Sequence, residues 1–537
     1  MLAPSPVPSQ TDEATPAAPA RTEALPAALR TQNTLKWGGL FVLIFLAIHW
    51  QEVSTPTLNV DDWALLGDPI SQAFQSRPSW DVLYRLLFQY SFSPFLGWLL
   101  AGASLFVIAA CLPLFQPLLS PAWILLAALL ISLHAYLLDL FNFSFAIGLY
   151  LLPAALSVWG GVLIAYNPAP PLLGQRWRDG VLGVAMVVFA MGIYQPTGVA
   201  GLTLVGWDAL ARALGTARPA PRSWLRLLAG LLGGSLIYAA VARIAMGGHS
   251  QNARTGFASL PRLIEKLCDH EVYREIYATH VSLLWRPAPI IISASFLLLL
   301  LVLSIRLMRR RSPGMQRLRR LGMLWFAAGW LTLSPLFLFY VLQAGFPSRS
   351  FALGNFGIVG FLVIALITVK NESRPRSIGR RFVGAIVTLL IVLYAIPQAV
   401  YAGKVWERTH LLQMRDIAMA QAIAADVRSR SVQRPDLPGD GFQLFGTTER
   451  NQSFHHWSSV GESAFRQGWS ITAIFRQLLG LEVVHIPYRS EGNENEVRSG
   501  LPACQAWPAA GSIVAHQGRW LVCLEDNPAA AASRGGR

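Results

Sequence analysis

Charge is scarce in this chain. Only 14% of its 537 residues are charged, and just 29 are acidic, where a soluble domain carries about 25% charged residues. That scarcity argues against an ordinary water-exposed fold, and hydrophobic residues make up 53% of the chain. Cysteine is scarce too, with four in all, and their spacing resembles no zinc site. There is no P-loop, no Gly-rich nucleotide fingerprint and no HExxH, so ATP, nucleotide-sugar and zinc-protease chemistry lack support. No internal repeat is found.

What is present is a series of long apolar runs. Each can cross a hydrocarbon core about 30 Å thick, and in lipid each must be helical, because no water satisfies the backbone there. Spans are expected near 36–51, 95–117, 122–139, 143–166, 179–194, 196–211, 224–246, 288–307, 321–342, 351–369 and 381–401, eleven in all. The fold class is therefore α, a polytopic membrane protein with about eleven transmembrane helices. Residues 179–211 could instead form one helix kinked at Pro196, which would move every later loop across the membrane.

The net charge of +15 follows the membrane rather than a nucleic acid. With the N-terminus cytoplasmic, the inner side collects Arg21, Arg30, Lys36, Arg176, Arg178, Arg212, Arg218, Arg222, Arg226, Lys370, Arg374, Arg376, Arg380 and Arg381. The largest cluster, Arg306, Arg309, Arg310, Arg311, Arg317, Arg319 and Arg320, lies there too. This is the positive-inside bias, and the kinked-helix alternative would place that cluster outside. The expected location is a bacterial inner membrane, crossed many times. The partners expected from charge are lipid and not nucleic acid.

Residues 1–34 are rich in Pro and Ala and nearly free of aromatics, so a disordered cytoplasmic tail is expected. Residues 35–401 form the transmembrane domain. Residues 402–537 read as a small periplasmic α/β domain: an amphipathic helix from Lys404 to Arg430, strands at Phe442–Gly446 and Leu481–Pro487, and a helix from Ala464 to Leu479. Cys504 and Cys523 bracket a hairpin expected at Gly511 to Val522. In an oxidising compartment a disulfide there competes with two buried free thiols.

The informative feature is Asp61-Asp62, just past the first span. Ionisable groups near a bilayer are costly, so two adjacent carboxylates point to a site. Asp61 could instead cap the following helix. The loop 51–94 also carries Arg77, which precedes Pro78; a fixed guanidinium suits a phosphate, and a lipid-headgroup anchor is the competing role. Asp139 ends the third span near Asn142. Tyr194-Gln195 occupies the turn between the fifth and sixth spans, able to contact a sugar or to satisfy freed backbone groups. Arg254 lies in the 247–287 loop, whose Leu260–His280 stretch reads as a solvated helix. Pro347-Ser348-Arg349 holds a second arginine close to the membrane surface, for phosphate binding or snorkelling.

Asp61-Asp62, Arg77-Pro78, Tyr194-Gln195 and Pro347-Ser348-Arg349, with Trp507-Pro508-Ala509-Ala510-Gly511-Ser512-Ile513 leading into Arg519-Trp520-Leu521-Val522, resemble the bacterial type II O-antigen glucosyltransferases. These are serotype-converting membrane enzymes of GT-C-like architecture. The resemblance covers most of residues 36–525. It implies transfer of glucose or a related sugar from an undecaprenyl-phosphate sugar to a surface polysaccharide. In that scheme Asp61 or Asp62 is the base, Asp61 being favoured with Asp62 then orienting the acceptor, and Arg77 and Arg349 hold the lipid phosphate. The aspartates could alternatively share a divalent ion, Mg or Mn, although two ligands alone establish no metal. A flippase for a lipid-linked sugar, or a polymerase or ligase using a diphosphate-linked chain, are the rival functions.

Overall fold

The computed structural model describes residues 31–58, 62–63, 66, 77–89, 91, 93–133, 135–166, 176–216, 223–245, 259–268, 287–310, 313–337, 353–372, 378–448, 462–486 and 494–527. Within these the chain is mostly helical with one small sheet, and four helices are long and apolar enough to cross a membrane. They are Pro94–Leu114, Ile147–Ala165, Trp224–Ile244 and Gly354–Asn371. Shorter apolar helices occupy Leu35–Ile48 and Pro121–Ser132.

Burial sorts these helices into inner and outer positions. The Ile147–Ala165 window is 78% buried and lies at the centre, whereas Trp224–Ile244 is only 28% buried. Leu232, Leu236, Ile237, Val241 and Ile244 on that helix face outward. An apolar surface of that extent is not stable against water and matches lipid instead. Such helices pack through small residues, since apolar side chains gain nothing over lipid contact. A Cβ on Gly183 would lie 2.5 Å from the Gly160 carbonyl oxygen, so the two backbones approach closely only because both residues are glycine.

The contacts along Ile147–Ala165 decide the 179–211 question. The Arg176–Ile193 helix runs antiparallel to it, with Gly183 beside Gly160 and the Tyr194 ring 4.4 Å from Tyr150. The chain then returns alongside: Thr197 Oγ1 donates to the Tyr150 carbonyl at 2.6 Å, and Gly201 N–H donates to Ser157 Oγ at 3.0 Å. Farther on, Leu204 packs at Gly161. The segment is a hairpin and not one kinked helix. Its returning arm is broken into Gln195–Gly198, a 3-10 turn at Ala200–Leu202, and Thr203–Leu214. The expected 122–139 run is also broken, into Pro121–Ser132 and Ala135–Phe141.

The C-terminal domain is not separated from the last apolar helix by a break at residue 402. One helix runs from Ile378 to Gln433, and its apolar residues Ala420, Ile423, Ala424 and Val427 enter the core of the sheet domain. Strands Gly441–Phe445 (β1), Glu482–Ile486 (β2), Ile513–His516 (β3) and Arg519–Cys523 (β4) form a sheet of order β2-β1-β4-β3. β1 is parallel to β2 and to β4, while β3 is antiparallel to β4. Alternation sets the faces: Phe442, Leu444, Trp520 and Val522 meet the long helix and the Gly468–Leu479 helix, while Phe445, Leu521 and Cys523 face the other way. The β3–β4 turn is Gln517-Gly518, both at positive φ, as a tight two-residue hairpin requires. On the second face Cys504 and Cys523 are joined as a disulfide, with Cα atoms 6.3 Å apart. Closing a loop of that size stabilises by roughly 3 kcal/mol.

A buried carboxylate ties this domain to the long helix. Asp416 Oδ1 accepts from Ser463 Oγ at 2.7 Å and Oδ2 from Ala464 N–H at 2.6 Å. Burial still pushes its carboxyl up to about 6. A raised folded-state pKa means its contribution to stability is present below about pH 3.8 and is lost as pH rises through about 6. Thermal unfolding of the wild type is expected to lose up to about 3 kcal/mol over that range. Asp416→Asn should flatten the slope, at a lower overall level because its amide would face a backbone N–H. An unchanged slope in the variant would refute the assignment.

Candidate functional site

The molecule has two polar ends. At one, Arg212 pairs with Asp208 at 3.0 Å, Arg310 donates to the Leu214 carbonyl, Arg306 to that of Val369, and Lys370 lies over Trp123. At the other end the sequence motifs gather.

The short helix Trp50–Ser54 follows the first apolar helix and carries Glu52 into the interior. Glu52 Oε1 accepts from Thr57 N–H at 2.7 Å, Thr57 Oγ1 at 2.9 Å and Ser144 Oγ at 2.8 Å. Ser144 belongs to the turn that leads into the Ile147–Ala165 helix. The backbone N–H groups of Ser144 and Phe145 both point at Asp62, which accepts them through Oδ2 at 3.1 Å and Oδ1 at 3.2 Å. Asp62 is fully buried. Next to it Trp63 is buried in the core of the sheet domain with Ala420, Phe442, Phe465 and Trp520. Leu58 N–H donates to Gln413 Oε1 on the long helix at 3.0 Å. The loop of the acidic pair is thus held by both parts of the molecule.

Arg77 precedes Pro78, which opens the Pro78–Leu83 helix as the fixed φ of proline favours. The guanidinium Cζ lies 5.7 Å from the centre of the Trp80 ring and 5.1 Å from that of Tyr194, so the cation sits between two aromatic faces. Those rings lean on Tyr150, at 5.5 Å for Trp80 and 4.4 Å for Tyr194. Gly192 makes this approach possible, because a Cβ there would collide with Ser79 Oγ. Gln195 donates from Nε2 to the Tyr238 hydroxyl. Arg77 is therefore in one cluster with Tyr194 and Gln195, which lie far from it in sequence.

A single short stretch connects this cluster to the carboxylate. Trp80 and Tyr84 are one helical turn apart, in Pro78–Leu83 and the π-helical Tyr84–Phe88 that continues it. The Tyr84 ring stacks on Phe145 at 4.9 Å, the residue whose N–H holds Asp62. Burial, and then the Asp62 charge beside it, raise the Tyr84 phenol above its ordinary range. On the opposite side of this stretch Val82, Leu86 and Leu87 are exposed, as expected of a segment lying along a membrane interface.

Asp139 is fully buried in the Ala135–Phe141 helix, five residues before Ser144. Asp61, Arg254 and Arg349 lie outside the described residues, as does most of the expected Leu260–His280 helix, described only for Leu260–Cys268. Sequence reasoning missed Glu52, Ser144 and the Trp80 ring beside Arg77; it named Tyr194 but not its place over the guanidinium. A signal for Glu52 existed, since it is the only acidic residue between Glu23 and Asp61; nothing marked Ser144.

Among the described residues no group of three or more His, Cys, Asp or Glu side chains is placed to hold a metal. Each oxygen of Asp62 already accepts an N–H, an arrangement that orients a carboxylate instead of presenting it to a cation. Such a site can fix a loop carrying a second carboxylate and offer a rigid guanidinium to an anion. No known family, curated protein or solved structure matches this chain.

Proposed function

We propose that this chain is a membrane glycosyltransferase of GT-C-like architecture with about eleven spans, acting on the periplasmic face of a bacterial inner membrane. It moves a sugar, glucose by the resemblance to O-antigen glucosyltransferases, from an undecaprenyl-phosphate sugar to a polysaccharide acceptor. The observation that carries this reading is that Asp62 and the caged Arg77 share one end of the molecule, opposite the end where Arg212, Arg306, Arg310 and Lys370 gather. By the positive-inside rule the basic end is cytoplasmic.

In this mechanism Asp61 takes the proton of an acceptor hydroxyl. The hydroxyl oxygen bonds to the anomeric carbon as the bond from that carbon to the phosphate oxygen breaks. The charge that returns to the lipid phosphate is met by Arg77, with Arg349 as its second partner. Tyr194 and Gln195 line the donor side. Incubating the purified chain in lipid with labelled polyprenyl-phosphate hexoses and polysaccharide tests the reading; label must enter the polysaccharide. Arg77→Lys keeps the charge but loses the planar group between two rings, so transfer should fall roughly tenfold or more, chiefly through donor KM. A change under about twofold would argue against a phosphate role for Arg77.

One observation favours a flippase as second reading: the returning arm 195–214 is discontinuous and buried, as in transporters with broken helices. Lipid-linked sugar crossing the bilayer with no label in polysaccharide would select it.

A further inference from the structure

The transfer chemistry gives Glu52 no role, yet it is among the most deeply placed carboxylates at this end. It is fully buried, its Oε1 takes three donors from Thr57 and Ser144, and its Oε2 has no hydrogen-bond partner. Ser144 is the shared element: its hydroxyl meets Glu52 while its N–H meets Asp62. We propose that Glu52 is a positioning residue for sugar transfer, which through Ser144 holds the 144–145 amides against Asp62, the sequence neighbour of the base in the transfer reading. This rests on the transfer reading above.

The Ser144 hydroxyl lies 2.8 Å from Glu52 Oε1 and also 2.8 Å from the Thr57 carbonyl oxygen. Its single proton can serve only one of them. A charged carboxylate draws that proton; a neutral one competes on even terms with the carbonyl. The turn therefore has two hydrogen-bonded states, selected by the charge of Glu52. Burial pushes the Glu52 carboxyl up to about 7, against the pull of its three hydrogen bonds, so the change falls in the neutral range. The other ionisable groups on the elements around it are few. His49 precedes it by one turn, with Nδ1 accepting from Trp406 Nε1 at 3.2 Å. Asp62 and then Tyr84 lie beyond Ser144. The first apolar helix brings Lys36, the long helix brings Tyr401, Lys404, Glu407, Arg408 and His410, and the Pro94–Ala110 helix brings none.

The test uses the full chain in lipid and two readouts across about pH 5.5 to 8.5. One is amide exchange at Thr57, Ser144 and Phe145; the other is transfer of labelled hexose. Glu52→Gln keeps an oxygen for the three donors but cannot titrate. Glu52→Ala removes the acceptor. In Glu52→Ala, exchange at 144–145 should rise and kcat should fall, each roughly tenfold or more, with donor KM little changed. In Glu52→Gln, neutral at every pH, exchange should match the wild type at the acid end, and kcat should stay at that acid-side level without the rise toward alkaline pH expected of the wild type. Wild-type exchange in Glu52→Ala, or a wild-type pH profile in Glu52→Gln, overturns the proposal. If the wild type transfers no hexose at any pH, the transfer reading fails. The exchange comparison still decides whether Glu52 holds the turn.

Discussion

Asp61→Asn is expected to abolish sugar transfer while leaving insertion and thermal stability unchanged, and Asp62→Asn to abolish transfer and also lower stability. The difference follows from what each carboxylate does. Asp62 is buried and accepts two backbone N–H groups, one on each oxygen. In the Asn variant one of those N–H groups faces an amide nitrogen and loses its acceptor, at about 1–3 kcal/mol for a buried group left unsatisfied. Alanine leaves both without a partner and should cost about twice that. A base needs a hydroxyl within reach and a free oxygen, and Asp62 has both oxygens engaged. That favours Asp61 for proton transfer and Asp62 for holding the loop. Transfer assays and unfolding curves on the three variants separate the roles. Near-normal product from Asp61→Asn and Asp62→Asn would remove the acidic pair from the mechanism.

Trp63→Ala should be nearly as damaging, although the residue touches no substrate in this scheme. Its indole fills the core of the sheet domain beside Ala420, Phe442, Phe465 and Trp520, and deleting a buried Trp side chain costs about 3–5 kcal/mol. The backbone of Asp62 and Trp63 is gripped on one side by the 144–145 turn and on the other by the sheet domain. Losing the second grip frees the loop toward the C-terminal domain, so transfer should drop to background while the disulfide-linked sheet stays folded. Trp63→Phe should recover much of both properties. Limited proteolysis within 51–77, together with transfer rates, would show the release. Full activity and an unchanged unfolding curve in Trp63→Ala would refute the coupling.

Much of the fold could be read from local pattern. Apolar runs located the described helices, the stretches Phe442–Gly446 and Leu481–Pro487 located β1 and β2, and the pair Gln517-Gly518 lies inside the hairpin expected at Gly511 to Val522. Boundaries were poorer where helix breaking depends on packing. The run at 122–139 is interrupted near Leu133 although its hydropathy is continuous. At residue 402, where composition changes, the backbone continues as helix, because polarity alters the surface of a helix without breaking its hydrogen bonds. The turn at Tyr194-Gln195 was visible through Pro196, and the positive-inside count favoured a returning arm over a kinked helix; the break of that arm at Ala200–Leu202 was not visible.

The candidate site divides the same way. By itself the sequence determined the helical membrane class, the scarcity that makes each carboxylate informative, and the basic residues that collect at one end. These are properties of composition and of short windows, so no folding is needed to see them. Only the tertiary structure decided that Ser144 bridges Glu52 and Asp62, that Arg77 lies between Trp80 and Tyr194, and that Trp63 belongs to the core of a domain more than 300 residues away. Such contacts depend on how helices with similar apolar faces pack against one another. Many arrangements bury those faces about equally well, and the choice rests on small residues and single hydrogen bonds that carry no periodic signal.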